Sequence, residues 1–158
     1  MATSCPVRQT PGMADTLTAD ELTAFIRSSM PLCVTLGMRG VSQRGDEVRL
    51  ELDWAPELCT MAGLLHGGAL MALADAAGGA CAFANLPDGA SGTSTIESKT
   101  NFLGAVRLGT VTAVSRPLHV GRTTIVVETE LRDDSDRLVG KTTQTQTVLR
   151  PAREGERQ

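Results

Sequence analysis

Asp75 is the one charged side chain in an apolar stretch that runs from His66 to Ala84. An ionised carboxylate in apolar surroundings is costly unless it is paired or used. Buried carboxylates with perturbed titration cluster at reactive sites. The residue types therefore indicate that Asp75 is a reactive group. The alternatives are a structural hydrogen bond or a place at an exposed edge.

Gly67 and Gly68 open the same apolar stretch. The first N–H groups of a helix have no partner within the helix, and they carry partial positive charge. Glycine also allows a substrate oxygen to approach the backbone closely. This combination is how an oxyanion hole for acyl transfer is built, although a plain turn before a helix would have the same two residues.

The spacing of these groups predicts a shared site. Gly67 and Asp75 are eight residues apart, so a helix separates them by about 12 Å. One reacting carbon cannot contact both. If both act on one substrate, the second must come from a neighbouring copy, which predicts a dimer with active sites shared across the interface.

The elements that must position these groups can be read from the pattern of apolar residues. A first helix is predicted over Thr18 to Met30, with Thr18 and Glu21 as its capping box and Pro31 as its end. A short strand-like segment follows from Leu32 to Arg39. Alternation predicts a strand at Val48 to Leu52, and residues 56–63 form a connecting loop.

The stretch from His66 to Ala84 predicts a helix that is apolar on nearly all sides. Such a helix must be enclosed by a curled sheet, or by the sheet together with a second subunit. Consecutive strands joined by short turns are expected to pair antiparallel. These strands are Ser91 to Ala105, Leu108 to Pro117, Thr123 to Arg132 and Leu138 to Leu149.

The 158 residues are consistent with one domain over residues 18–150, with a loose N-terminal arm at 1–17 and a polar tail at 151–158. A net charge of -3 and 3% aromatic residues argue against a nucleic-acid surface. Neither a secretory segment nor an uninterrupted membrane-length apolar run is present, which favours a cytoplasmic protein that does not bind membranes. Four cysteines without metal-ligand spacing favour reduced thiols and no metal site: Cys5, Cys33, Cys59 and Cys81.

One motif resembles a known family. The run from Leu65 to Leu70, followed by Leu73-Ala74-Asp75, resembles the signature of hotdog-fold acyl-CoA thioesterases. The similarity is greatest to the PaaI-like and Arthrobacter-type 4-hydroxybenzoyl-CoA thioesterases, and it covers about residues 32–149. Weaker matches lie at Thr95-Ile96-Glu97, 101–105, 119–123, 131–134 and 137–139.

The resemblance implies an α+β hotdog fold, in which a curled antiparallel sheet wraps one long central helix, with a short N-terminal helix added. It implies homodimers, often paired into tetramers, and hydrolysis of an acyl-CoA to the free acid and coenzyme A. Asp75 would be the nucleophile or the general base that activates water. The Gly67 N–H would polarise the thioester carbonyl. No cofactor is expected, because coenzyme A is part of the substrate.

Five further residues take roles by resemblance. His66 would lie beside the thioester in a positioning role, with Gly68 at the same helix start. Thr95 would orient water or substrate, although it could be an ordinary strand threonine. Thr60 stands where the family often has Asn or Gln, so that substrate contact is weakened. Gly79 stands where the family often has a threonine, so another contact is absent.

The resemblance also places coenzyme A phosphate contacts at Gly121, Arg122 and Thr123. Arg116, Lys99 and Arg150 are weaker candidates, since each could simply be a solvated charge. Small residues on the central helix would leave space for a bulky or aryl acyl group.

Three other functions remain open at this stage. A hotdog acyl-thioester dehydratase or hydratase would carry a catalytic histidine followed shortly by Pro-Gly, which is absent here. A non-catalytic acyl-CoA binder or sensor would usually carry a DNA-binding segment. A structural dimerisation domain with a decayed site would fit the change at Thr60, but not the presence of Asp75.

Overall fold

The structure is a computed structural model that describes residues 17–151. Three helices are present: α1 (Ala19–Ser29), α2 (Pro31–Thr35) and α3 (Gly67–Ala84). Six strands form one sheet: β1 (Arg39–Gln43), β2 (Val48–Asp53), β3 (Gly92–Phe102), β4 (Thr110–Val120), β5 (Thr124–Arg132) and β6 (Leu138–Leu149). The predicted N-terminal arm and polar tail, with Cys5, lie outside the described residues except at Leu17 and Pro151.

The sheet is antiparallel, with the strand order β1-β2-β4-β5-β6-β3. The predicted antiparallel pairing of consecutive strands is correct for β4 with β5 and for β5 with β6. It is wrong for β3 and β4, because β3 pairs with β6 and β4 pairs with β2. Residues 103–109 are too long for a tight turn, and they carry the chain from one end of the sheet to its middle.

The central helix α3 lies inside the curled sheet, as predicted. It packs against five of the six strands, and residues such as Leu73, Ala77 and Cys81 are fully buried. Among residues 17–151, nothing covers one stripe of the helix: Gly68, Met71 and Asp75 are exposed and Gly79 is half-buried. The sheet of one chain therefore encloses most of the helix, but not its whole circumference.

By length and composition α3 could also cross a membrane, with a mean hydropathy of 1.3 over its 18 residues. More than half of it, 56%, is buried against the sheet. The core helix of a folded domain meets the same criterion, so this property reflects its place in the core.

The N-terminal helix has its predicted capping box. The Glu21 N–H donates to Thr18 Oγ1 at 3.3 Å, and the Thr18 N–H donates to Glu21 Oε2 at 2.9 Å. The strand predicted over Leu32 to Arg39 is wrong, because Pro31 takes the first position of α2, where its missing N–H costs nothing. The strand begins only at Arg39.

Helix α1 packs on β1 at Gly40. A Cβ on Gly40 would lie 2.5 to 2.9 Å from three side-chain atoms of the fully buried Leu22. The Gly40 N–H donates to Thr23 Oγ1 at 2.8 Å, so the helix and strand are held in register. The absence of a side chain at Gly40 thus allows this contact.

We expect Gly40→Ala to lower the free energy of unfolding by about 1–3 kcal/mol, because the added methyl overpacks the α1 interface. Gly45→Ala is the matched control, since a Cβ at Gly45 meets no atom within 4 Å. Urea denaturation of both variants measures the difference. Equal stability of the two variants would contradict this packing argument.

Candidate active site

Asp75 lies midway along α3, on the uncovered stripe. Its Oδ1 accepts hydrogen bonds from Gln144 Nε2 at 2.6 Å and from Thr95 Oγ1 at 3.2 Å. No residue among 17–151 donates to Oδ2. The expectation of a buried carboxylate is wrong for the single chain, because the sheet leaves this side of the helix open. The carboxylate is paired with neutral donors, and one of its oxygens remains available.

Thr95 and two glutamines form a directed network behind Asp75. Thr95 Oγ1 accepts from Gln144 Nε2 at 3.1 Å and from Gln146 Nε2 at 2.8 Å. Thr93 Oγ1 donates to Gln146 Oε1 at 3.0 Å. Because an ionised carboxylate can only accept, the amide nitrogen of Gln144 must face it. The chain of hydrogen bonds therefore runs from Thr93 through Gln146 to Thr95, and it ends at Asp75 Oδ1, to which both Thr95 and Gln144 donate.

Sequence reasoning missed Gln144 and Gln146. Both side chains are buried, with exposed fractions of 0% and 1%. They occupy alternate positions of β6, where Thr142 is the third member of the inward-facing set. The signal that could have found them is the two-residue alternation along β6, in which every second side chain faces the same side of the sheet. However, polar residues line both faces of this strand. Without an apolar face, the pattern does not reveal which side faces the helix.

A bulge in β3 aims Thr95 at the helix. The register shifts between Thr95 and Glu97, which leaves Ile96 as the extra residue. Thr95 and Thr100 then bond to the same side of the sheet although they are five residues apart, since Thr100 pairs with Thr142 Oγ1 at 2.8 Å. Bulges commonly re-aim a side chain next to an active site.

The start of α3 offers one free donor. His66 Nδ1 accepts from the Gly68 N–H at 2.8 Å, so His66 is the helix cap and the Gly68 N–H is already used. The Gly67 N–H makes no hydrogen bond with residues 17–151. A Cβ on Gly67 would lie 3.0 Å from the ring of Phe102, which therefore sits close against the helix start. Among residues 17–151, the Gly67 N–H is thus a free donor at the start of α3.

The loop predicted over residues 56–63 contains two short 3-10 turns, Pro56–Leu58 and Met61–Gly63. The His66 N–H donates to Leu58 O at 2.8 Å, and Leu65 pairs with Cys59 as an isolated bridge. Thr60 is exposed in this loop. The structure places it on the segment that is attached to the start of α3.

The two glycines inside α3 have different surroundings. Gly78 is buried, and the place of its absent Cβ is filled by Gln144 Oε1. The Gln144 side chain, and not a second helix or an acyl group, therefore takes up the space beside Gly78. Gly79 meets nothing within 4 Å of its Cβ position and borders the open side of α3.

The β4–β5 turn contains the three residues for which phosphate contacts were predicted, Gly121, Arg122 and Thr123. Gly121 allows the turn, because a Cβ there would crowd His119 and the Thr124 carbonyl. Arg122 and Thr123 are exposed. Arg150 lies against the same turn, since its Nη2 donates to Arg122 O at 3.3 Å. Of the weaker candidates, Arg116 is paired with Glu47, and Lys99 is exposed on β3.

The two buried thiols, Cys33 and Cys81, are poorly suited to act as nucleophiles. Cys33, Cys59 and Cys81 are free, and burial raises the pKa of Cys81 to about 12. Because the thiolate is the reactive form, a buried thiol of this kind is inert at neutral pH. Within residues 17–151, no three histidine, cysteine or carboxylate side chains converge in a way that could hold a metal ion.

We expect His66→Ala to lower the free energy of unfolding by about 1 kcal/mol, because the Gly68 N–H loses its cap. His66→Asn should recover most of this loss, since asparagine is a preferred capping residue. Urea denaturation measures both. If alanine and asparagine destabilise equally, the capping role of His66 fails.

Comparison with known proteins agrees with this architecture. The thioesterase superfamily matches residues 62–140. Rv1847 of Mycobacterium tuberculosis is 30% identical over 120 residues, which cover 75% of this chain and 86% of the relative. Its solved structure superposes with a TM-score of 0.75, at 27% identity over 78% of this chain and 99% of that one.

Two further solved structures share the fold. Thioesterase HI1161 of Haemophilus influenzae has a TM-score of 0.78 at 25% identity, over 86% of this chain and 93% of that chain. The PaaI protein from the phenylacetic acid degradation operon of Escherichia coli has a TM-score of 0.72 at 19% identity, over 80% and 91%. With its curled six-stranded sheet around α3, the chain belongs to the hotdog-fold thioesterase superfamily.

Proposed function

We propose that the protein hydrolyses an acyl-CoA thioester to the free acid and coenzyme A. The proposal is supported above all by the Asp75 carboxylate, which lies on the uncovered stripe of α3. Its Oδ1 has two neutral donors, and its Oδ2 has none from residues 17–151. Oδ2 would either attack the acyl carbon, releasing the coenzyme A thiolate and leaving an anhydride for water to cleave, or take a proton from the attacking water.

The Gly67 N–H is proposed as the oxyanion donor. It lies at the positive end of α3, and it has no competing acceptor within residues 17–151. The negative charge that develops on the thioester oxygen would be stabilised there in the transition state. Removing one such donor typically costs about 3–4 kcal/mol.

The active site is proposed to form between two copies of the chain. Gly67 and Asp75 are about 12 Å apart along one helix, so they serve different substrates. Three features support a partner on this side: the uncovered stripe of α3, the unpaired edge of β3, and Ile96 on that edge, which is 64% exposed. An open edge strand is a template for pairing with another chain. A dimer of dimers would follow from association of two such pairs.

Coenzyme A is proposed to run from the thioester towards the β4–β5 turn. The Val148 N–H donates to Thr123 O at 2.9 Å, and Gln146 is two residues earlier in β6. At about 3.3 Å per residue, the turn lies about 7 Å beyond the Gln146 backbone. Arg122 would meet phosphate, assisted by Arg150. Thr60 would offer one hydroxyl near the carbonyl, and the space beside Gly79 would admit the acyl group.

The other functions have less support. In a dehydratase or hydratase His66 would act on the substrate, whereas here its Nδ1 caps α3. A non-catalytic binder would not need the directed donors on Asp75. We place the enzyme in the cytoplasm, where acyl-CoA is available and free thiols persist.

We expect Asp75→Asn to lower kcat for thiol release from acyl-CoA by about 10²–10⁴-fold, because the amide can neither attack nor accept the proton. Short, long and aromatic acyl-CoAs should be compared to find the substrate. Asp46→Asn is the matched control, since Asp46 is an exposed surface carboxylate paired with Arg44. Wild-type protein that binds acyl-CoA without releasing thiol would identify a binder instead.

The shared site can be tested by mixing two inactive variants. Gly67→Pro removes the N–H and, like any residue with a Cβ, crowds Phe102. Its backbone is compatible with the site, since proline is favoured at the first helical position and His66 already has extended backbone angles. Mixed with Asp75→Asn after denaturation and refolding, it should restore about one quarter of wild-type activity, because half of the dimers have one intact site.

Gly67→Ala is the control for this mixture, because it retains the N–H and also crowds Phe102. Mixed dimers that form without recovering activity would refute the shared site. Full wild-type activity in a monodisperse monomer would refute it as well.

A further inference from the structure

Gln144 is buried between the Asp75 carboxylate and the backbone of α3. Its exposed fraction is 0%. Its Nε2 lies 2.6 Å from Asp75 Oδ1 and 3.1 Å from Thr95 Oγ1, so both amide N–H groups are used. Its Oε1 is buried and accepts no hydrogen bond from residues 17–151. An unmade buried hydrogen bond disfavours folding, so stability alone does not explain this side chain.

Gly78 provides the space for this arrangement. The amide oxygen of Gln144 occupies the position where a Cβ of residue 78 would project. Within a helix alanine is favoured over glycine. The glycine is therefore explained by the space that the Gln144 amide requires, and not by helix stability. Thr129 Oγ1 lies 3.6 Å from the same Cβ position, but it makes no hydrogen bond to Gln144 Oε1.

The Asp75 carboxylate sets the orientation of the amide, and the slot at Gly78 makes room for its oxygen. Rotation by half a turn would bring Oε1 against the Asp75 carboxylate, where two acceptors repel. The amide therefore presents two donors to Asp75 and Thr95, and it cannot turn away. Because β6 lies between β5 and β3 in the sheet, this support is more rigid than Thr95 on the exposed edge strand.

We propose that Gln144 is a positioning residue, seated in a slot at Gly78, that holds the Asp75 carboxylate with Oδ2 towards the substrate. The inference rests on the proposed thioesterase function and adds the group that orients its carboxylate. Gln144 does not contact the substrate in this role. Its loss should therefore lower kcat much more than it raises KM.

The first test is Gln144→Met, which keeps the approximate volume and removes both donors. We expect kcat for acyl-CoA hydrolysis to fall by up to about 10²-fold, since misplacement by 1 Å can cost that much, while KM changes by less than about threefold. Thr142→Val is the matched control. Thr142 is buried on the same face of β6 and makes a hydrogen bond away from Asp75, so kcat should be preserved.

Gln144→Glu allows a measurement, the pH dependence of kcat, that would not change if Gln144 had only a structural role. A buried carboxyl beside a carboxylate keeps its proton to higher pH, and in that form it can donate to Asp75. As pH rises the proton is lost, the donor disappears and two like charges face each other. The ratio of variant to wild-type kcat should therefore fall as pH rises. A ratio independent of pH would overturn the proposal.

The slot is tested by Gly78→Ala, with circular dichroism to confirm that each variant is folded. The methyl should displace the amide and lower kcat in the wild-type background. In the Gln144→Ala background it should cause no further loss, because the shorter side chain leaves room. Additive losses in the double variant would count against coupling between the two positions.

The outcomes separate this inference from the function on which it rests. If wild-type protein releases no thiol from any acyl-CoA, or if Asp75→Asn retains full activity, both proposals fail. If turnover depends on Asp75 while folded Gln144→Met keeps wild-type kcat, only the positioning role fails. A lowered kcat with nearly unchanged KM, together with the pH-dependent ratio, supports it.

Discussion

Burial of α3 is the constraint on which the rest of the structure depends. The helix is apolar on nearly every side, and one curled sheet covers most of it. The sheet cannot close around the last stripe, which holds Asp75. The same geometry thus places a carboxylate at the one side of the core helix where a substrate or a second chain can reach it, and it leaves β3 as an open edge beside it.

The inner face of the sheet is adapted to that carboxylate. Most positions below α3 carry aliphatic side chains, such as Leu50 and Val127. Near Asp75 they change to Gln144 and Gln146, which are buried amides. Burying amides is unfavourable unless their polar atoms are paired. Here the polar atoms of both amides, except one oxygen, are hydrogen-bonded to Asp75, Thr95 or Thr93. The orphan oxygen at Gly78 is the exception, and it is the feature that points to a role in positioning.

Much of the fold followed from local patterns. The capping box at Thr18, the alternation from Val48 and the apolar run before Ala84 each predicted the element that the structure contains. The failures have physical causes. Pro31 begins a second short helix, because proline suits a first helical turn. Pairing between β3 and β6 could not be predicted, since it depends on how the sheet closes around α3.

For the candidate site, the order of residues was enough to identify the reactive types and their spacing: a carboxylate on an apolar helix, glycines at its start and a separation of eight residues. The tertiary structure alone decided their environment. In the folded chain Asp75 lies exposed on the uncovered stripe, and the Gly68 N–H donates to His66. Gln144 of β6 packs against the helix. A strand of alternating threonine and glutamine has no apolar face, so only packing determines which of its side chains turn inward.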